Sequence, residues 1–308
     1  MRYRLHPGLL LALIVLICVG AILLVALFRS RTTAAPADLL AHLPAGDAAV
    51  LSIDVQALRR SGVLALLAGS KVTEEPEYKA FVVETGFDYG QDLDSVIVAF
   101  HRNAVYFLLR GRFDWRRLAA YVASQDGVCR NAFCRAKGST PKRNISFFPL
   151  RSDVMALAVS ADTWAASQLM SRKPRKDGNA FPEQPLWLLI PASVLRDEAS
   201  LPAGTRLFAK AMAGADRIVL SLGPKDDRFE AVLDVTCHSA RDAEVLSVQL
   251  EGVTRLLRNL IARENKQPNP RDLSGVLAAG RFERLDMRVL GRWPVERAFL
   301  ESLASGSL

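Results

Sequence analysis

Polar and apolar positions alternate in blocks that announce a regular order of elements. AAVLSIDV (Ala48–Val55) is a short apolar run rich in β-branched residues and reads as a buried strand. QALRRSGVLALLAG continues it as helix, and EYKAFVVETG is a second helical stretch closed by Gly86, a C-terminal cap. SVIVAF and VYFLLRGRF flank the polar HRNA and read as a β-hairpin with a four-residue turn. Asp114 then caps a helix in which Trp115, Leu118 and Val122 recur at helical spacing. NISFFPLRS and VMALAVS read as strands, and ADTWAASQLM as a closing helix with Asp162 near its start.

The second half runs in the same order. PLWLLIP (Pro185–Pro191) is a strand, SVLRDEASLPAGTRLFAKAMAGA is helical, and RIVLSLG and RFEAVLDV form a hairpin around PKDD. Ser239 and Asp242 resemble a capping box. The helix they open carries Leu246, Leu250, Val253, Leu257 and Leu260 as an apolar stripe. After QPNPRD, the stretch GVLAAGRFERLDMRVLG reads as strands, and VERAFLESLA as the last helix. Strand, helix, hairpin, helix, strand is the split βαβ order of ferredoxin-like folds. The expected fold is therefore α+β: an N-terminal transmembrane helix followed by two related ferredoxin-like modules with antiparallel sheets.

The transmembrane expectation rests on LLLALIVLICVGAILLVALF, residues 9–28, which carries no charged residue. At helical rise it reaches about 30 Å, the thickness of a bilayer's hydrocarbon core. A cleaved signal peptide has a shorter apolar core and a small-residue cleavage site; this run ends at Phe28-Arg29-Ser30-Arg31, which favours an uncleaved anchor. Cys18 reads as a small apolar residue within it. Arginines flank both ends, so charge hardly sets orientation; a tail of eight residues against a large C-terminal part favours N-in, C-out. The expected organisation is a tail (1–8), the span (9–28), a linker (29–43), a first module (44–170), a basic linker (171–184) and a second module (185–305). The expected location is the inner (cell) membrane, with the C-terminal part periplasmic.

LLAHLPAGDAAVLSIDVQALRRSG, soon after a single apolar segment, together with TGFDYGQDLDSVIVAF, resembles the layout of uncharacterised single-pass bacterial envelope proteins of unknown function. That resemblance implies a repeated α+β ectodomain over most of residues 38–300 and no activity, cofactor or site residue.

No motif in the chain carries chemistry. His6, His42, His101 and His238 are scattered, and Cys237 beside His238 in a strand would point to the opposite face, so no metal site is expected. His101 reads as a solvated residue of the first hairpin turn. Asp88, Asp92 and Asp94 read as a solvated acidic turn rather than a calcium loop. Nucleophile elbows and phosphate loops are absent from the sequence, and no cofactor or catalytic residue is assigned.

Charge says more. The chain carries a formal +8, and Arg130, Arg135, Lys137, Lys142 and Arg143 lie in one stretch without an acid. Such a cluster fits phosphate-bearing or otherwise anionic surfaces. Outside the cytoplasm nucleic acid is not an expected partner, which leaves headgroups, acidic glycans or an envelope protein, with the bilayer itself contacted through residues 9–28. Within the same stretch Cys129 and Cys134 sit five apart. A structural disulfide, free thiols and a redox or metal pair are the readings; an oxidising compartment favours the disulfide. The expected function is a membrane-anchored envelope protein acting as a binding or scaffolding module. The alternatives are an inner-membrane subunit of a secretion or pilus-assembly platform, and a hydrolase with a dispersed active site.

Overall fold

The structure, a computed structural model, describes residues 36–44, 48–65, 75–138, 140, 143–171, 181–196, 212, 214–226, 228–264 and 267–305. The expected span at 9–28, Cys18, His6, Lys142 and residues 29–35 and 172–180 of the two expected linkers lie outside these residues. Among the described residues no helix is long and apolar enough to cross a membrane.

The helices are α1 (Pro36–Leu40), α2 (Val55–Arg60), α3 (Pro76–Thr85), α4 (Tyr89–Asp92), α5 (Trp115–Ser124), α6 (Ala192–Arg196), α7 (Ala240–Arg263), α8 (Leu273–Ala278) and α9 (Arg297–Ser305), with a 3-10 helix at Ala165–Met170. The strands are β1 (Ala49–Asp54), β2 (Leu93–His101), β3 (Ala104–Gly111), β4 (Val128–Arg130), β5 (Phe133–Lys137), β6 (Asn144–Arg151), β7 (Val154–Ser160), β8 (Leu186–Pro191), β9 (Ala215–Lys225), β10 (Arg228–Cys237), β11 (Arg281–Leu285) and β12 (Arg288–Val295).

All of these strands join one 12-stranded sheet in the order β11-β12-β10-β9-β8-β1-β2-β3-β7-β6-β5-β4. Every pairing is antiparallel. The two ferredoxin-like modules are thereby overturned. A split βαβ unit keeps its first two strands apart, with a later strand between them, whereas here β1 pairs directly with β2. The free side of β1 is taken by β8, from Val50↔Leu189 to Ile53↔Leu186, so the halves share a sheet instead of closing two. Counted outward from this seam, each half reads first, second, third, fifth, fourth strand, and the β4–β5 hairpin extends the N-terminal half alone.

Side chains alternate between two faces. On the first face Val50, Ile97, Leu108, Val154 and Ala156 are buried beneath α1 and the 3-10 helix, with Trp187, Leu189 and Val219 continuing the core past the seam. The second face is covered by helices on both sides of the seam and less fully at the seam itself. Leu118 and Val122 of α5 pack on Phe147 and Met155; α7 lies on Leu233, Val235 and Val289. Between them Leu58 of α2, Val276 of α8 and Leu300 of α9 surround Val295.

Local chemistry sets the element ends. Asp54, Asp114, Ser239 and Asp272 each accept backbone N–H groups at helix starts. Gly86 closes α3 at φ 71°, and its missing Cβ leaves room for the Arg117 guanidinium, which donates to the Val83 and Glu84 carbonyls. Several expectations shift. Both long hairpins turn on two residues rather than four. The run at 273–278 is helix α8, not strand, because Asp272 caps it through the Gly275 N–H at 2.7 Å. On α7 the buried stripe is Ala243, Leu246, Ser247 and Thr254 with Leu250 and Leu257 half-buried, while Val253 and Leu260 are exposed.

Candidate functional site

The β4–β5 hairpin collects most of the basic cluster on one face. Its turn residues Asn131 and Ala132 both have positive φ, 50° and 63°, the twist that a two-residue hairpin needs. Cys129 and Cys134 lie directly opposite each other, Cα atoms 4.0 Å apart, and are joined by a disulfide. Because Arg130 pairs with Phe133 and Val128 with Arg135, the period of two places Val128, Arg130, Phe133, Arg135 and Lys137 on the first face of the sheet. The cysteines point to the second, where Cys134 is buried beside Phe147. Lys137 pairs with Asn144, and Arg143, exposed, adjoins Gly138 in the connection to β6.

An aromatic stack underlies these cations. Phe133 stacks on Phe148 (5.9 Å between centroids) and on Trp164 (5.1 Å), and the Arg135 guanidinium lies 4.3 Å from the Trp164 ring. Trp164 is 51% exposed, so the indole meets solvent next to the arginine. The acid closest in sequence, Asp162, accepts the Trp164 N–H at 2.9 Å. Residues 127–151 contain no acid at all. Sequence reasoning missed Trp164, which it placed inside a closing helix. The signal was Asp162 two residues earlier, a side chain that caps the turn and leaves the tryptophan before the helix instead of within it.

The other candidates are structural. Asp88 starts α4 by accepting the Gly90 N–H and also takes the Tyr78 hydroxyl at 3.0 Å. Asp92 accepts the Asp88 N–H and two bonds from Arg112. These carboxylates thus tie a loop together instead of standing solvated, while Asp94 lies in β2. Burial, then the hydrogen bond to Asp88, pushes Tyr78 up to about 12. His101 is the last residue of β2, not a turn residue, and meets the Tyr106 ring edge-on. Cys237 is buried and points into the core while His238 is exposed and lies 3.0 Å from Asp216. Burial, with Asp242 and Asp216 nearby, pushes the Cys237 thiol up, away from the reactive thiolate. Among the described residues no three histidine, cysteine, aspartate or glutamate side chains are grouped to hold a metal.

No protein-family model matches the chain, and no curated protein matches it. Among solved structures it is similar to TP0453 in crystal form III, with a TM-score of 0.49 and 11% identity over 87% of this chain and 98% of that one. Crystal form I of TP0453 gives a TM-score of 0.47 and 11% identity over 89% and 97%.

Proposed function

We propose that this chain is an envelope binding module whose basic edge hairpin docks on an anionic lipid surface. The observation that carries the reading is the placement of Arg130, Arg135 and Lys137 on one face of an edge hairpin beside an exposed tryptophan. Cations are attracted to acidic headgroups by about 1 kcal/mol each, and tryptophan favours the headgroup level of a bilayer. The uncharged run at residues 9–28 supplies an attachment beside such a surface. The disulfide adds support, because disulfides persist outside the cytoplasm. Binding here is non-catalytic: the cations and the indole hold a surface without a nucleophile or a general base among them.

The test uses the full chain held in zwitterionic nanodiscs on a sensor surface, over which phosphatidylcholine vesicles with or without phosphatidylglycerol are flowed. Capture of the anionic vesicles alone, weakening as salt rises, is the expected result. Reversing Arg130, Arg135 and Lys137 to glutamate removes about 3 kcal/mol of attraction, about a hundredfold in affinity. Equal capture of both vesicles, or capture of anionic vesicles unaffected by the triple reversal, overturns the reading. Capture of an acidic envelope protein in place of vesicles transfers the surface to a protein partner.

A further inference from the structure

At the seam between the halves the second face of the sheet is incompletely covered. Register places Ile53, Leu186 and Leu222 in one row across β1, β8 and β9. All three are only half-buried, although they lie in the middle of a 12-stranded sheet. Above them opens a cleft of about 550 Å³, within the range of about 300–1,000 Å³ typical of small-molecule sites. Leu58 of α2, Val63 and Leu64 after it, and Phe229 at the start of β10 also line it. Floor and lining are therefore largely apolar.

Among the described residues the charged side chains lining the cleft are Asp54 and Glu183, both exposed. Asp54 sits at the end of β1, where its N–H reaches the Pro185 carbonyl at 2.6 Å and so fixes it at the seam. The two arginines of α2 are directed elsewhere: Arg59 donates to the Gly90 and Leu93 carbonyls, and Arg60 donates to the Gln56 carbonyl and side-chain oxygens. Tyr89 and Ser61 complete the polar rim. A chain of net charge +8 thus presents, at its apolar cleft, two carboxylates.

We propose that the seam cleft binds a cationic amphiphile, its aliphatic tail along Ile53, Leu186 and Leu222 and its ammonium head at Asp54 and Glu183. The sign of the rim decides the class. An anionic tail, such as a fatty carboxylate, would bring its head against two like charges, whereas an ammonium meets two opposite ones. The cleft and the basic hairpin therefore take ligands of opposite charge, and either one stands if the other fails.

Photolabelling of the full chain in zwitterionic nanodiscs tests this. The probes are a dodecylammonium and a dodecanoate that each carry a diazirine in the tail, with labelled residues mapped by mass spectrometry. The ammonium probe is expected to label residues 53–64 and 222–229 at least about fivefold more than the carboxylate. Ala57→Phe, which fills the cleft from α2, should bring that labelling to the level seen with excess unlabelled dodecylammonium. Asp54→Asn with Glu183→Gln, in which asparagine still caps α2, should leave the cleft labelled but equalise the two probes. Equal labelling of the native chain by both heads, labelling confined to other residues, or a head preference that survives the double substitution would each overturn the proposal.

Discussion

The two ends of the sheet share a strand order and differ in what lies on the first face. Over β1–β3 and β6–β7 that face is roofed by α1 and the 3-10 helix, and Leu39, Leu40, Leu108, Ala156 and Leu169 are almost wholly buried there. Over β10–β12 the same face meets solvent. Its outward positions hold Glu230, Asp234, Arg288 and Arg292, and Arg288 donates to both Asp234 oxygens, at 3.2 and 2.6 Å. Topology alone therefore leaves open whether a face becomes core. The decision lies in the segments that cross it, and in whether the strand alternates apolar with charged residues or is apolar on both sides.

Removing the roof is the strongest way to break this contrast. Leu169→Ala, in the roof, should cost about 2–5 kcal/mol in urea unfolding, whereas Leu290→Ala, on the half-open face of β12, should cost about 1 kcal/mol or less. Similar losses at the two positions would erase the difference between the ends. The next effect is the clamp peculiar to the N-terminal end. Replacing both Cys129 and Cys134 by alanine should cost about 2 kcal/mol by loop entropy, read as a lower urea midpoint and matched by adding reductant to the native chain. A smaller effect belongs to the open face: a double-mutant cycle on Arg288 and Asp234 should give a coupling of about 0.2–1 kcal/mol that shrinks with salt.

The smallest is visible only in alkali. Tyr78 has its folded value raised from 10.0 to about 12, so its neutral phenol supports the fold in full below pH 10. That support is lost as pH climbs from 10 through about 12, because the unfolded chain releases the proton first. Tyr78→Phe should flatten the fall in stability over this window, measured by urea unfolding at stepped pH.

How much of this was legible in the sequence depends on the distance over which each contact acts. Caps, hairpins and the facing of Cys129 and Cys134 are local, and Asp114, Ser239 and the two hairpin runs show them directly. The β1–β8 seam joins residues more than a hundred positions apart, and nothing in AVLSID says which strand takes its free side. Element order alone fits several sheet orders, and the ferredoxin-like reading selected the wrong one. Helix α8 was hidden because a short apolar run suits strand and helix alike, with Asp272 as the overlooked sign. On α7 the stripe was drawn through Val253 and Leu260, whereas the sheet contacts the side carrying Thr254. The basic cluster was plain as composition; its alignment on one face required the register of β4 with β5, and Trp164 arrives from a distant loop.

The seam also says what a half of this molecule would be. Cut between β7 and β8, either piece would own a first strand with one bare edge, and antiparallel pairing across that edge is the geometry by which two identical subunits meet about a two-fold axis. The chain is built like a homodimer whose subunits have been tied end to end. Such a layout leaves the halves free to differ around a common strand order: the first carries a clamped hairpin and a roof, the second an open charged face, and the strip where they touch is shared by both.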